Sequence, residues 1–160
     1  MTFIQEKKQV PTFSLESTGG QTITSKGLKG QAYILFFYPK DNTPGCTKEV
    51  CSFRDHFKAL QDKNFQLYGI SPDTIASHAR FIAKQALPFE LLSDPDHKTA
   101  QAFGAWGEKK MFGKAYMGII RSTFIIDKTG KILKVYPKVK VASHAADILE
   151  DLKALDSKTS

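Results

Sequence analysis

The sequence is poor in cysteine and tryptophan, with two cysteines and one tryptophan in 160 residues. It has no apolar run near the roughly 20 residues that cross a bilayer, and its first eight residues lack the apolar segment of a secretory signal. We therefore expect a cytoplasmic protein with no membrane partner. There is no repeat or glycine-rich linker, so one domain over residues 1–160 is expected. In the cytoplasm a lone cysteine pair is more often catalytic or redox-sensing than structural.

Acidic residues are outnumbered, with 16 Asp and Glu against 23 Lys and Arg, which gives a net charge of +7. A basic balance can indicate nucleic-acid binding. Here the lysines are scattered and accompany no recognition-helix or zinc-finger pattern, so we interpret them as a solvated surface. We expect no specific nucleic-acid partner, and at most weak steering of anions or of an acidic redox partner.

The sequence also lacks the ligand pattern of a structural metal site. Structural zinc takes four ligands, usually in closely spaced pairs. The two cysteines do not form a Cys-x2-Cys pair, and the histidines are dispersed. We expect no metal and four surface histidines: His56, His78, His97 and His144.

Cys46 lies where a thiol becomes reactive. The preceding run Tyr33 to Tyr38 is continuously apolar and aromatic, which predicts a buried central strand. After Cys46, apolar residues recur at helical spacing to about Asp62. Cys46 is thus expected in the first turn of a helix, where free backbone N–H groups and the helix dipole favour a thiolate, the nucleophilic form.

The rest of the chain alternates predicted strands and helices, which indicates an α/β domain. Gly104 to Gly118 is predicted to be a loop, with Trp106, Phe112, Tyr116 and Met117 closing a hydrophobic rim. The other predicted elements are a hairpin over Phe13–Thr24, strands at Phe65–Ile70 and Phe89–Leu92, helices at Pro72–Gln85 and Thr99–Phe103, a hairpin over Thr123–Tyr136, and a helix from about Ala142 to Leu155.

Pro39, Thr43 and Cys46 form a Pro-x3-Thr-x2-Cys pattern that resembles the peroxidatic motif of the peroxiredoxins. Cys51, five residues later, resembles the second cysteine of their bacterioferritin-comigratory-protein or Q-type branch. Further similar segments follow in the family's order over roughly residues 10 to 155; Thr12 stands where the family usually has Asp. These segments are Val10–Leu15, Leu28–Gly30, Trp106–Lys109, Gly113–Lys114 and Arg121–Asp127.

The resemblance implies a thioredoxin-like fold with an N-terminal β-hairpin and a central mixed sheet flanked by helices. It implies a peroxidase for hydrogen peroxide and organic hydroperoxides that needs no cofactor, because sulfur does the chemistry. Its site residues would have the following roles: Cys46 peroxidatic, Cys51 resolving, Thr43 and Gly45 at the substrate, Pro39 shielding the thiolate, Arg121 beside the sulfur, and Glu49 at the substrate side or bonded to the arginine.

Oxidation would give a Cys46 sulfenic acid that condenses with Cys51. In an ideal helix, residues five apart have Cα atoms roughly 8–9 Å apart, beyond the 7 Å limit for a disulfide. We therefore expect residues 45 to 52 to unwind in each turnover. The resemblance further implies a monomer whose disulfide is reduced by a thioredoxin-type donor.

Other interpretations of the same residues stay open at this point. A thioredoxin-type oxidoreductase is disfavoured, because that chemistry uses Cys-x-x-Cys. A redox sensor or holdase would use the same oxidation as a switch. Cys46 and Cys51 could also be two buried structural thiols, which is the ordinary role of free cysteine. Without the family pattern, Thr43 would be a helix N-cap, Glu49 a first-turn helix acid, and Arg54 and Arg121 surface residues.

Overall fold

A seven-stranded mixed sheet forms the centre of the computed structural model, which describes the backbone of residues 3–159 and the side chains of residues 3–155. Four helices and a separate two-stranded ribbon accompany it. In chain order the elements are β1 (Ser14–Ser17), β2 (Thr22–Thr24), β3 (Ala32–Phe37), α1 (Pro44–Asp62), β4 (Phe65–Ser71), α2 (Ile75–Gln85), β5 (Glu90–Ser93), α3 (Lys98–Phe103), β6 (Trp106–Met111), β7 (Lys114–Ile119), β8 (Ser122–Ile126), β9 (Ile132–Tyr136) and α4 (His144–Thr159).

The strand order in the large sheet is β2-β1-β5-β4-β3-β8-β9. β3 pairs in parallel with β4 and antiparallel with β8, so it lies inside the sheet. The mixed sheet, the flanking helices and the N-terminal hairpin that the sequence predicts are confirmed.

The continuous apolar run of β3 is explained by burial on both faces of the sheet. Tyr33, Leu35 and Phe37 enter one core cluster together with α3, whereas Ile34 and Phe36 enter a second cluster together with α1, α2 and α4. Neither face of the strand meets water, so the period-2 alternation of a half-exposed strand is absent. The predicted central strand is confirmed.

The predicted loop over Gly104–Gly118 is wrong, because most of it forms the antiparallel ribbon β6–β7. Nearly all side chains between residues 108 and 117 are exposed. A ribbon that packs neither face has no apolar alternation in its sequence, and alternation is the usual signal for a strand.

The helix boundaries also shift. α2 begins at Ile75 rather than Pro72, because the Thr74 hydroxyl accepts a hydrogen bond from the Ser77 N–H and caps the helix. α4 begins at His144 and continues to Thr159. Within the described residues, no helix has both the length and the apolar character needed to cross a membrane.

Candidate active site

Cys46 is the third residue of α1 and is buried. β3 ends inside the sheet, and the six residues 38–43 turn the chain into a helix that starts at Pro44. The first N–H groups of a helix have no partner within the helix. Pro44, the first residue of α1, has no backbone N–H group. The N–H groups of Gly45 and Cys46 are therefore the donors that this helix end presents beside the sulfur.

Thr43 occupies the N-cap position of α1, but its side chain does not cap the helix. Its hydroxyl instead donates to the Lys40 carbonyl at 2.9 Å. A capping threonine would accept a hydrogen bond from one of the first N–H groups. Because Thr43 turns away, those N–H groups stay available, and the Thr43 oxygen keeps lone pairs with which it can accept a hydrogen bond.

Arg121 connects the sulfur to a buried acid. Its Nη2 donates to Cys46 Sγ at 3.3 Å, and its Nη1 donates to Glu49 Oε1 at 2.6 Å. The antiparallel register pairs Phe37 with Ser122, which brings the residue before β8 to the end of β3. Sheet pairing thus joins two segments that are 75 residues apart in sequence.

Glu49 is fully buried beneath Arg121 and lies in the second turn of α1, not the first. Burial raises the pKa of Glu49 to about 7, while the Arg121 charge and hydrogen bond act against that rise. Burial acts to lower the pKa of Arg121, but Glu49 and Cys46 outweigh it and raise that pKa. The carboxylate faces the guanidinium rather than the open side of the site.

Gly45 allows the guanidinium to come this close to the helix. A Cβ atom at residue 45 would lie 3.3 Å from Arg121 Nη2, tighter than most such contacts. A side chain here would push the arginine away from Cys46. Glycine at the second helical position therefore has a packing reason in addition to its role in the turn.

Cys51 lies on the same helix but points to a different neighbour. Its thiol is half-buried and lies 3.4 Å from Gln85 Oε1 at the end of α2. Arg54 donates to the Gln85 carbonyl at 2.8 Å, which ties the two helices together at this point. Both thiols are free, and the regular helix between them leaves them too far apart for a disulfide.

Lys109 is a second cation at the site, and no sequence pattern had predicted this role for it. Its Nζ donates to the Ile119 carbonyl at 2.9 Å. Burial lowers the pKa of Lys109, Arg121 lowers it further, and the nearby Cys46 opposes both effects. The ribbon β6–β7 thus brings positive charge to the region of the sulfur.

A buried network fixes the segment between β3 and α1. The Asp41 carboxylate accepts hydrogen bonds from the Tyr38 hydroxyl at 2.6 Å, from the Ser77 hydroxyl at 2.8 Å and from His78 Nδ1 at 2.7 Å. His78 Nε2 donates to the Leu92 carbonyl at 2.9 Å. Burial alone would raise the Asp41 pKa, but the hydrogen bonds from His78 and Tyr38 outweigh it and lower that pKa.

Both ring nitrogens of His78 lie within hydrogen-bond distance of an oxygen, Nδ1 of Asp41 Oδ2 and Nε2 of the Leu92 carbonyl, and the ring is fully buried. The prediction of a surface histidine is therefore wrong at residue 78. It is also wrong at His144, which is buried and whose Nε2 lies 2.7 Å from Thr123 Oγ1. The spacing Ile75, His78, Phe81 along α2 would have placed His78 on the buried face.

Asp41, Asp73 and His78 are also the one group in the described part of the chain whose ligand atoms lie close enough together, within 4.8 Å, to hold a metal ion. Their atoms are already engaged by protein donors. Asp73 Oδ2 accepts from the Asp41 N–H at 2.8 Å and from the Ser71 hydroxyl at 2.6 Å. The group is accounted for as a hydrogen-bonded support of the loop.

The aromatic rim predicted for the ribbon is not formed. Phe112, Tyr116 and Met117 extend into solvent. Trp106 is half-buried and stacks on His97 with ring centroids 4.2 Å apart. Trp106 therefore anchors the base of the ribbon.

A buried thiol in the first turn of a helix, with an arginine on the sulfur and a strand-loop-helix support, is the arrangement expected of a redox protein built around a cysteine. The sequence profile of the AhpC/TSA family matches residues 7–135. Peroxiredoxin Bcp of Bacillus subtilis is 45% identical over 155 residues, which cover 97% of this chain and 99% of the relative.

Solved structures agree with this relationship. The Xanthomonas campestris bacterioferritin comigratory protein, whose alkyl peroxide reduction activity has been described, has a TM-score of 0.83 and 39% identity over 89% of this chain and 90% of its own. A cysteine-to-serine mutant of Xylella fastidiosa PrxQ has a TM-score of 0.90 and 34% identity, and the match covers 98% of this chain and 99% of that protein. This chain belongs to the AhpC/TSA family as a peroxiredoxin of the Bcp or Q-type branch, with a thioredoxin-like fold. It is a thiol-dependent peroxidase.

Proposed function

We propose that Cys46 is the peroxidatic cysteine and that the chain reduces hydrogen peroxide and small organic hydroperoxides. The Cys46 thiolate attacks one peroxide oxygen, an S–O bond forms as the O–O bond breaks, and the other oxygen leaves as hydroxide or alkoxide and takes up a proton. The products are water or an alcohol and a Cys46 sulfenic acid.

The site supplies positive potential at the Cys46 thiolate before the reaction and at the leaving oxygen during it. Arg121 donates to the sulfur at 3.3 Å and is held by Glu49 at 2.6 Å. A fixed cation and free N–H groups, already in place, stabilise both the thiolate and the transition state without reorganisation. We assign Glu49 a positioning role for Arg121, because its buried carboxylate contacts the guanidinium.

Thr43, Gly45 and Pro39 are assigned to the substrate side. The Thr43 oxygen can accept a hydrogen bond from the peroxide O–H, since its own proton is given to Lys40. The Gly45 N–H faces the same helix end and can donate to a peroxide oxygen. Pro39, half-buried just after β3, limits the access of water to the sulfur.

Cys51 is proposed as the resolving cysteine. Its thiol attacks the sulfur of the Cys46 sulfenic acid, water leaves, and an intramolecular disulfide forms. The thiol must first leave Gln85, and the first turns of α1 must unwind. A dithiol protein of the thioredoxin type then reduces the disulfide by exchange.

We place the chain as a cytoplasmic monomer with one domain and no specific nucleic-acid partner. The single domain is supported by one large sheet that runs from the N-terminal hairpin to β9.

The contact between Arg121 and Cys46 is the observation that carries this function. The test is steady-state peroxide consumption with thioredoxin, thioredoxin reductase and NADPH, and in parallel with dithiothreitol. The proposal predicts many turnovers per protein and none for Cys46→Ser. A protein that is oxidised once and does not turn over with either reductant would be a sensor rather than a catalyst.

A further inference from the structure

Exposed apolar side chains are concentrated on the ribbon β6–β7. In the part of the chain whose side chains are described, every large hydrophobic residue that is exposed lies within seven positions. These residues are Met111 at 55% exposure, Phe112 at 98%, Tyr116 at 41% and Met117 at 53%. The strand register puts Met111 and Tyr116 on one face of the ribbon and Met117 on the other, with Phe112 at the turn. Single exposed hydrophobics are ordinary, but four of them gathered at one projecting tip indicate a contact with another molecule.

The tip residue Phe112 is not explained by the fold. Phe112 and Gly113 both have positive φ, 53° and 78°, and form the two-residue turn of the hairpin. Such turns favour Asn-Gly, because most side chains are disfavoured at positive φ. A phenylalanine that is 98% exposed gains no packing within the chain that would offset this preference.

The ribbon is also basic. It carries Lys109, Lys110 and Lys114 against a single acid, Glu108. Lys110 and Lys114 are exposed and flank the apolar tip. An apolar patch with a positive rim is complementary to an apolar groove with an acidic rim.

The ribbon base connects the exposed tip to the active site. β7 leads through Ile120 directly to Arg121, and Lys109 near the ribbon base donates to the Ile119 carbonyl. The Ile120 N–H donates to the Ala105 carbonyl at 2.8 Å, so the base is fixed while the tip projects. Phe112 is three strand residues beyond Lys109, roughly 10 Å further out.

We propose that the ribbon tip, defined as Met111, Phe112, Tyr116 and Met117 with Lys110 and Lys114, is the docking surface for the protein that reduces the Cys46–Cys51 disulfide. The occupant is an acidic dithiol protein of the thioredoxin type with an apolar groove beside its dithiol. This inference rests on the proposed function, which requires one macromolecular partner to approach this site in every cycle.

The test is the KM for a bacterial thioredoxin at saturating hydrogen peroxide, with dithiothreitol-supported turnover measured on the same proteins. Phe112→Asn removes the aromatic ring and supplies the residue that the turn favours, so its melting temperature should equal or exceed that of the wild type. Its KM for thioredoxin should rise about tenfold, as for loss of an aromatic anchor. Dithiothreitol-supported turnover should change less than about twofold.

A charge variant tests the basic rim. Lys110→Glu with Lys114→Glu should raise the KM for thioredoxin and reduce its dependence on salt. Lys26→Glu with Lys29→Glu, the same charge change at exposed positions in the β2–β3 connection, is the matched control and should leave the KM near the wild-type value.

Each other result overturns the docking proposal and says which part fails. If the wild type turns over with thioredoxin and the ribbon variants keep its KM, only the docking surface is wrong. If the wild type turns over with dithiothreitol but not with thioredoxin, the donor assignment in the proposed function is wrong as well. If Phe112→Asn changes only the sedimentation of the protein, the patch binds a second copy, and if it changes only binding to anionic phospholipid vesicles, the patch binds a membrane surface.

Discussion

At the scale of single residues, one guanidinium does two tasks in this site. Arg121 donates to Glu49 through one nitrogen and to Cys46 through the other. The planar fork of arginine allows both bonds at once, and a lysine ammonium, as a single point charge on a flexible stem, does not. The position of the charge relative to the sulfur is therefore set by a buried acid on the same helix as the cysteine.

Replacing Arg121 should slow the oxidation of Cys46 by peroxide. Arg121→Gln removes the cation and should lower the second-order rate by about 100-fold or more, since loss of one preorganised donor has that effect in other sites. Arg121→Lys should retain part of the rate, because charge is kept while the bond to Glu49 or to Cys46 is lost. The rate is measured by rapid quench, alkylation and mass spectrometry.

The matched control is Arg80→Gln, which removes an exposed arginine on α2. Its rate of Cys46 oxidation should stay near the wild-type rate. Equal rates for Arg121→Gln and the wild type would show that the contact at 3.3 Å has no part in the first chemical step.

At the scale of elements, the N-terminal turns of α1 have two incompatible requirements. The regular helix places the N–H groups beside Cys46, and the same regular helix keeps Cys51 beside Gln85. The Asp41–His78 network fixes the loop that precedes the helix, so the opening is expected to begin after that loop, within α1 itself.

Amide hydrogen exchange should detect this opening. In the oxidised protein, peptides covering residues 45–52 should exchange faster than in the reduced protein, because the disulfide is incompatible with the regular helix. The internal control is β3, whose amides lie inside the sheet and should keep equal protection in both forms. Equal protection of residues 45–52 in the two forms would show that the helix does not need to unwind.

The elements differ in how well the sequence predicts them. β3 and α1 were predictable because burial on both faces and a one-sided apolar stripe leave clear patterns. The ribbon β6–β7 was not, since both of its faces meet solvent. Within the site, Cys46 and Thr43 follow from a local motif. The contact of Arg121 with Cys46 depends on sheet pairing across 75 residues, and only family resemblance indicated it.

At the scale of the whole molecule, buried polar groups connect the helical layer to the sheet. His144 in α4 reaches Thr123 in β8, and its ring lies edge-on to Phe53 of α1 and Tyr136 of β9. Burial lowers the pKa of His144 to about 4, with Asp147 acting in the opposite direction. The sequence offered no way to separate this histidine from the half-exposed ones, because its burial follows from how α4 packs on the sheet.

This lowered pKa predicts a loss of stability in acid. The unfolded chain binds a proton at His144 near pH 6.5 and the folded chain only near 4, so the free energy of unfolding falls as the pH drops through that range. By pH 5 the His144 contribution to the loss should be about 2 kcal/mol. Urea unfolding of wild type and His144→Gln at pH 7 and pH 5 measures the difference.

The control for this experiment is His56→Gln, which replaces a half-buried histidine on α1. Burial of Glu49 raises its pKa to about 7 and therefore acts in the opposite direction over part of the same range, but it is common to all three proteins and cancels in the comparison. The same pH dependence in His144→Gln and wild type would rule out His144 as the acid-sensitive group.

The most direct test of the role of Cys46 is a titration of the reduced protein with one equivalent of hydrogen peroxide, quenched within seconds, alkylated and read by intact mass. Both thiols should disappear into an intramolecular Cys46–Cys51 disulfide, whereas Cys51→Ser should stop at a Cys46 sulfenic acid or an intermolecular disulfide. If both thiols of the wild type still alkylate after minutes, Cys46 is not activated and is not the peroxidatic cysteine.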